Sequence, residues 1–169
     1  MCKYLLLLLF AFLLIGSCSA YPDYNKYSNV PTQKSDNMYT PYNETDEAET
    51  EINYLLDIIK NEQKHGLIVF GANWCPDARL LEATLQLPSV RQFLDTKCNI
   101  LNVDVGDYEI NTELFKYFDP EIETGIPRVF ILDVNGQALN MDSNDKMRTA
   151  RQQSPQEIFD YFQSFVTGN

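Results

Sequence analysis

Four cysteines, at positions 2, 18, 75 and 98, are spread through the 169-residue chain. A thiolate is a strong nucleophile, suited to attack on disulfides. Cys75 has the most telling neighbours. The run Trp74-Cys75-Pro76-Asp77-Ala78 follows an apolar stretch, Leu67-Ile68-Val69-Phe70, through Gly71-Ala72-Asn73. Pro76 suits the first position of a helix, where its missing N–H leaves nothing unpaired. Cys75 is thereby set at the mouth of a helix, where free N–H groups and the helix dipole attract an anion. Asp77 opposes that field and Arg79 offsets Asp77 in part.

Other chemistries lack their residues. His65 is the sole histidine and reads as a helix-end cation or surface residue. No His/Cys grouping has metal-ligand spacing. Asp142, Asn144 and Asp145 lack the glycine and terminal glutamate of a calcium loop. No phosphate-cradling glycine loop occurs, and one misplaced histidine makes no hydrolase triad. No resident cofactor or metal is expected. The balance of 13 basic against 24 acidic residues, net −11, argues against nucleic acid as partner and against electrostatic docking on anionic lipid.

The elements that must position Cys75 are legible in the hydrophobic pattern. Asp46 and Glu49 form a capping pair before a helix with Ile52, Leu55, Leu56 and Ile59 on one face. Gly66 reads as its C-cap. Leu67–Phe70 suits a strand buried on both faces. A helix runs from Cys75-Pro76 to about Leu87, where Leu87-Pro88 breaks it. Ser89 with Gln92 restarts it, carrying Val90, Phe93 and Leu94. Residues 99–105 form a strand and 111–118 a short helix. Arg128–Leu132 is a strand, Asp133-Val134-Asn135-Gly136 a hairpin turn with Asn-Gly at its centre, and 137–141 the returning arm. Residues 142–153 read as a polar loop. Ser154-Pro155 opens a last helix with Ile158, Phe159, Phe162 and Phe165 as its stripe. The order α-β-α-β-α-β-β-α implies an α/β fold with a parallel core and an antiparallel edge.

Cys98 is placed at the far end of a strand parallel to the one that leads to Cys75. Six residues of strand span about 20 Å, whereas a disulfide needs Cα atoms within about 7 Å. Cys98 therefore reads as a small buried hydrophobe, and Cys75 stands alone.

The first residues read as an address. Lys3 precedes an apolar run, Tyr4 to Ile15, followed by small residues. The run is shorter than the ~20 residues of a spanning helix, and the layout is that of an export signal. Ile15-Gly16-Ser17-Cys18 resembles a bacterial lipobox, which would make 1–17 a lipoprotein signal and Cys18 the lipidated residue. Cleavage after Ala20 is the competing outcome. Either implies an exported chain, and the lipobox implies a periplasmic or cell-envelope protein tethered to a membrane by lipid. Residues 18–44, interrupted by Pro22, Pro31 and Pro41, read as an extended linker, and 45–169 as the domain. Asn43-Glu44-Thr45 fits a glycosylation triplet, one that is common by chance.

The element order, Trp74-Cys75-Pro76 at the first strand-to-helix junction, and Gly125-Ile126-Pro127 before a hairpin together resemble the thioredoxin superfamily. The resemblance covers about residues 50–166. It implies a thioredoxin-like fold with a central mixed sheet flanked by helices, and a cis peptide bond before Pro127. It further implies that Trp74 shields the thiol of Cys75. Trp74, Pro76, Ile126 and Pro127 would line a groove where an extended substrate pairs with backbone. The chain departs from the family's Cys-x-x-Cys at Ala78, where the resolving thiol is missing.

Two functions are compatible with this reading. One is monothiol exchange, a reductase or isomerase acting on protein disulfides or glutathione adducts with Cys75 catalytic and glutathione as a co-substrate. The other is a non-catalytic binding or chaperone-like module that uses the cis-proline groove.

Overall fold

The computed structural model describes residues 40–43 and 47–167. Its centre is β1 (His65–Gly71), whose side chains are buried from Gly66 onward. A strand so apolar on both faces needs cover on both sides and a neighbour at each edge. β2 (Cys98–Asp104) pairs with it in parallel, from His65 opposite Cys98 to Gly71 opposite Asp104. β3 (Arg128–Leu132) pairs antiparallel on the other edge, from Gly66 opposite Leu132 to Phe70 opposite Arg128. The sheet order is β2-β1-β3. Phe70 is fully buried and meets Phe115 edge-on at 4.8 Å and Phe130 at 6.0 Å between ring centres.

Helices flank this sheet. α1 (Ala48–Glu62) buries Ile52, Leu55 and Ile59, as its period predicts. α2 (Pro76–Leu85) and α3 (Pro88–Lys97) follow β1, and α4 (Pro155–Val166) closes the chain. Ser154 and Glu157 form a reciprocal capping box at the start of α4, with Pro155 just inside.

Several local expectations are corrected. Gly66 is not a helix cap. α1 ends at Glu62, and Gln63 takes the left-handed conformation with φ 55°, while Gly66 lies inside β1 beneath Ile59 and Leu132. Pro88 starts a helix instead of only ending one, with Leu87 at the N-cap and Ser89 inside it, so Ser89 and Gln92 make no capping box. Asp46 lies outside the described residues, and the N-cap position of α1 is Glu47. Residues 112–117 form a 3-10 helix.

The returning hairpin arm is reduced to one bridge, Leu132 to Ala138. The Asn140 side chain takes over the pairing beyond it. Its Oδ1 accepts from Ile131 N at 2.9 Å, and its Nδ2 donates to Val129 O at 2.9 Å. Residues 142–153 are no simple polar loop. They contain the end of a 3-10 turn, Met141–Ser143, and a 3-10 helix, Lys146–Gln152, that buries Met147 and Ala150.

Candidate functional site

Cys75 is the N-cap residue of α2, with Pro76 at the first helical position. Its N–H donates to Ala72 O at 3.0 Å, and its carbonyl accepts from Arg79 N at 3.1 Å. The strand end, a tight loop and the first helical turn therefore all fix the thiol. The residue is 6% exposed. Ala78, one turn into the helix, is completely buried, so the position beneath the thiol holds a methyl group.

The Gly125-Ile126-Pro127 loop faces this turn. The Ile126–Pro127 bond is cis, as the resemblance implied. Cys75 Sγ points at Ile126 O, 4.0 Å away, the reach of a weak S–H donor. Gly125 has φ +153°, and a Cβ there would overlap the Arg148 guanidinium. Cys75, Pro76, Ile126 and Pro127 thus converge on one place, and Trp74 borders it. Cys18 lies outside the described residues.

Trp74 is 48% exposed, and its indole N–H donates to Gly106 O at 2.8 Å. Its ring meets the exposed Tyr108 ring edge-on at 5.6 Å. Trp74 therefore spans outward from the thiol to the loop after β2, leaving an aromatic wall in solvent. Tyr108 was not legible as part of the site, because nothing local in the sequence ties position 108 to position 74.

Three more features lie beyond sequence reasoning. Asp77, largely buried, accepts from Arg151 N at 2.9 Å and from Arg151 Nε at 3.1 Å, fastening the Lys146–Gln152 helix to the start of α2. Arg128, buried at the head of β3, donates to Asn144 Oδ1 and to Glu123 O, both at 2.6 Å. Asn144 in turn donates to Asp119 Oδ2 at 2.9 Å, so both flanks of the proline loop are held. Burial, then the like charge of Arg148, pushes the Arg128 guanidinium below its usual range. Finally, Tyr42, within the stretch read as linker, is 2% exposed. Asn73 clamps its backbone on both sides, accepting from Tyr42 N at 3.1 Å and donating to Tyr42 O at 2.6 Å. The Tyr42 ring lies on Gly71, where a Cβ would overlap it.

Cys98 sits at the opposite end of the sheet, across from His65, and both described cysteines are free thiols. Burial pushes the Cys98 thiol up to about 12, with Lys64 opposing. His65 Nδ1 lies 3.2 Å from Leu132 O, also far from Cys75. No group of three or more metal-ligating side chains occurs among the described residues.

The fold and the cis-proline site define a class. The chain belongs to the thioredoxin-like superfamily. It is similar to a disulphide isomerase from Xylella fastidiosa Temecula1, at 30% identity and a TM-score of 0.70, over 78% of this chain and 99% of that one. Thiol–disulfide exchange is thereby a chemistry of the family. A protein of unknown function from Pseudomonas aeruginosa matches at 13% identity and a TM-score of 0.37, over 72% of this chain and 87% of that one. No family model and no curated protein sequence matches the chain.

Proposed function

We propose that this protein carries out thiol–disulfide exchange through the single thiol of Cys75, as a reductase or isomerase of protein disulfides or glutathione adducts. The observation that carries this is the Cys75 Sγ, held at the mouth of α2 against Ile126 O, with Ala78 beneath it. The thiolate attacks one sulfur of a bound disulfide. A Cys75–substrate disulfide forms and the other substrate sulfur leaves as a thiolate. With no sulfur at position 78, the mixed disulfide is opened from outside. An external thiolate such as glutathione attacks it, forming a new disulfide with the substrate sulfur and returning the Cys75 thiolate. In isomerisation the attacking thiolate is the substrate's own. The N-terminal pattern supports an exported chain anchored by lipid on Cys18.

One observation favours a second reading, a binding module. Cys75 is 6% exposed while Trp74 beside it is 48% exposed, so the open surface of the site is aromatic. The deciding experiment incubates the full chain with a glutathionylated protein and follows release of glutathione with and without added free glutathione. Glutathione-dependent turnover that vanishes in Cys75→Ser supports exchange. Binding of the protein without any mixed disulfide at Cys75 overturns exchange in favour of the module.

A further inference from the structure

We propose that Arg148 is a specificity-determining residue of the Cys75 site, which holds a carboxylate of the molecule that docks there. The inference rests on the exchange reading above, which supplies that molecule.

The 3-10 helix Lys146–Gln152 touches both halves of the site. Arg151 is fastened to Asp77, two residues after the thiol. The Arg148 guanidinium lies on Gly125, the residue before Ile126, whose carbonyl faces the thiol at 4.0 Å. Three cations thus stand in seven residues, within a chain of net charge −11. Their states differ. The Lys146 ammonium sits over the Tyr161 ring, 5.1 Å from its centre. Arg151 has its carboxylate, Asp77, at 3.1 Å. Arg148 is exposed and forms no ion pair among the described residues.

A second guanidinium, Arg128, lies close by, and its hydrogen-bond acceptors are the neutral oxygens of Asn144 and Glu123. The carboxylates of Asp145, Asp119 and Glu123 act on Arg128, so of the two guanidiniums beside this loop Arg148 is the exposed one left to meet an anion. The aromatic rings of Trp74 and Tyr108 form another border of the site, with the acidic Asp107 and Glu109 in the same loop as Tyr108. An extended ligand would therefore meet an apolar border at Trp74 and a fork suited to carboxylate at Arg148. Glutathione and an acidic side chain of a protein substrate both supply that carboxylate.

The test uses Trp74, the chain's single tryptophan, as its own probe. Fluorescence of the full chain carrying Cys75→Ser is titrated with S-methylglutathione, with a glutamate-containing peptide, and with the same peptide bearing glutamine. In the Arg148→Glu background, binding of a carboxylate ligand should fall at least about tenfold, while the glutamine peptide changes less than about twofold. Arg148→Lys should keep most of the preference, and added salt should erase it. Loss on S-methylglutathione alone assigns the site to glutathione, and loss on the glutamate peptide alone assigns it to a protein. Equal binding of the two peptides together with unaltered S-methylglutathione binding in Arg148→Glu overturns the inference. Reaction of the wild-type thiol with an uncharged dipyridyl disulfide is measured separately. An inert thiol there defeats the exchange reading, and the titrations still decide Arg148.

Discussion

Asp77 receives two hydrogen bonds from Arg151, one from the backbone at 2.9 Å and one from the side chain at 3.1 Å, across 74 residues of sequence. Through this pair the turn after the thiol and the Lys146–Gln152 helix behave as one wall. Arg151 is 61% exposed in its side chain, so the charge attraction itself is well screened. The acceptor for the Arg151 N–H matters more. Asp77→Ala should destabilise the fold by about 1–3 kcal/mol, and Asp77→Asn, which keeps an acceptor, by less. Urea unfolding of the three proteins checks the order; equal costs for the two variants would contradict it.

Ala78 occupies the place where a resolving thiol would act. Positions three apart at the start of a helix are neighbours on one face, with Cα atoms inside the limit of about 7 Å that a disulfide sets. Ala78→Cys should therefore yield a protein that oxidises internally with Cys75. Pre-reduced, the variant should also reduce a protein disulfide without glutathione in a single turnover, its two thiols ending as an internal disulfide, at a rate about tenfold or more above the parent. Thiol counting after mild oxidation and a single-turnover reduction assay provide the check. A variant that keeps both thiols free under oxidant would show that the pair is misaligned.

Much of this architecture was written locally, and the exceptions share a cause. The run Leu67–Phe70 and Ser154-Pro155 each encode their structure within a few neighbours and form where their residues indicate, whereas the turn at Asp133–Gly136 has Val134-Asn135 at its centre rather than Asn-Gly, with Gly136 closing it at φ 81°. The site was half legible. Trp74, Cys75 and the Ile126-Pro127 pair belong to short motifs, whereas Tyr108, Arg148 and Arg151 enter through contacts made only after folding. Pro88 was misread because the same residue that ends one helix is favoured at the first position of another. The hairpin arm at 137–141 failed because a side chain replaced a strand.

That side chain makes a prediction. Asn140 is 2% exposed and binds Ile131 N and Val129 O at 2.9 Å each, and Tyr161 Oη at 2.8 Å. Asn140→Ala strips partners from two backbone groups of β3 at once. A buried group left unpaired costs about 1–3 kcal/mol, so the loss should reach about 2–4 kcal/mol. Asn140→Asp should also destabilise, since a carboxylate has no donor for Val129 O. Thermal melts of both variants would show this, and a melt within a degree or two of the parent would refute it.

Tyr42 and Gly71 are coupled by shape. Gly71→Ala places a methyl group inside the Tyr42 ring and should cost about 1–3 kcal/mol through overpacking. Tyr42→Ala removes a large buried side chain, at about 3–5 kcal/mol. In the double variant the added methyl has room, so the combined loss should fall short of the sum by about 1 kcal/mol or more. A denaturation cycle measures this coupling, and strict additivity would mean that the ring is not seated on Gly71 in solution.

Cys98 links stability to alkaline pH. Burial holds its thiol neutral, raising its titration from 9.0 to about 12, against the pull of Lys64 and Lys97. The unfolded chain loses this proton first as pH rises. The stabilisation is therefore complete below about 9, drains as pH climbs above it, and is gone once the folded thiol ionises near 12. Between pH 8 and 10 the drain amounts to about 1 kcal/mol. Cys98→Ala should abolish that part of the slope while leaving the titration of lysines and tyrosines in place, so the difference between the two proteins isolates it. The comparison needs reductant throughout, with unfolding followed at pH 8 and pH 10. In the native protein at pH 8 a thiol reagent should modify Cys98 only after unfolding. Parallel slopes for parent and variant, or prompt labelling of Cys98, would place this sulfur in water rather than in the core.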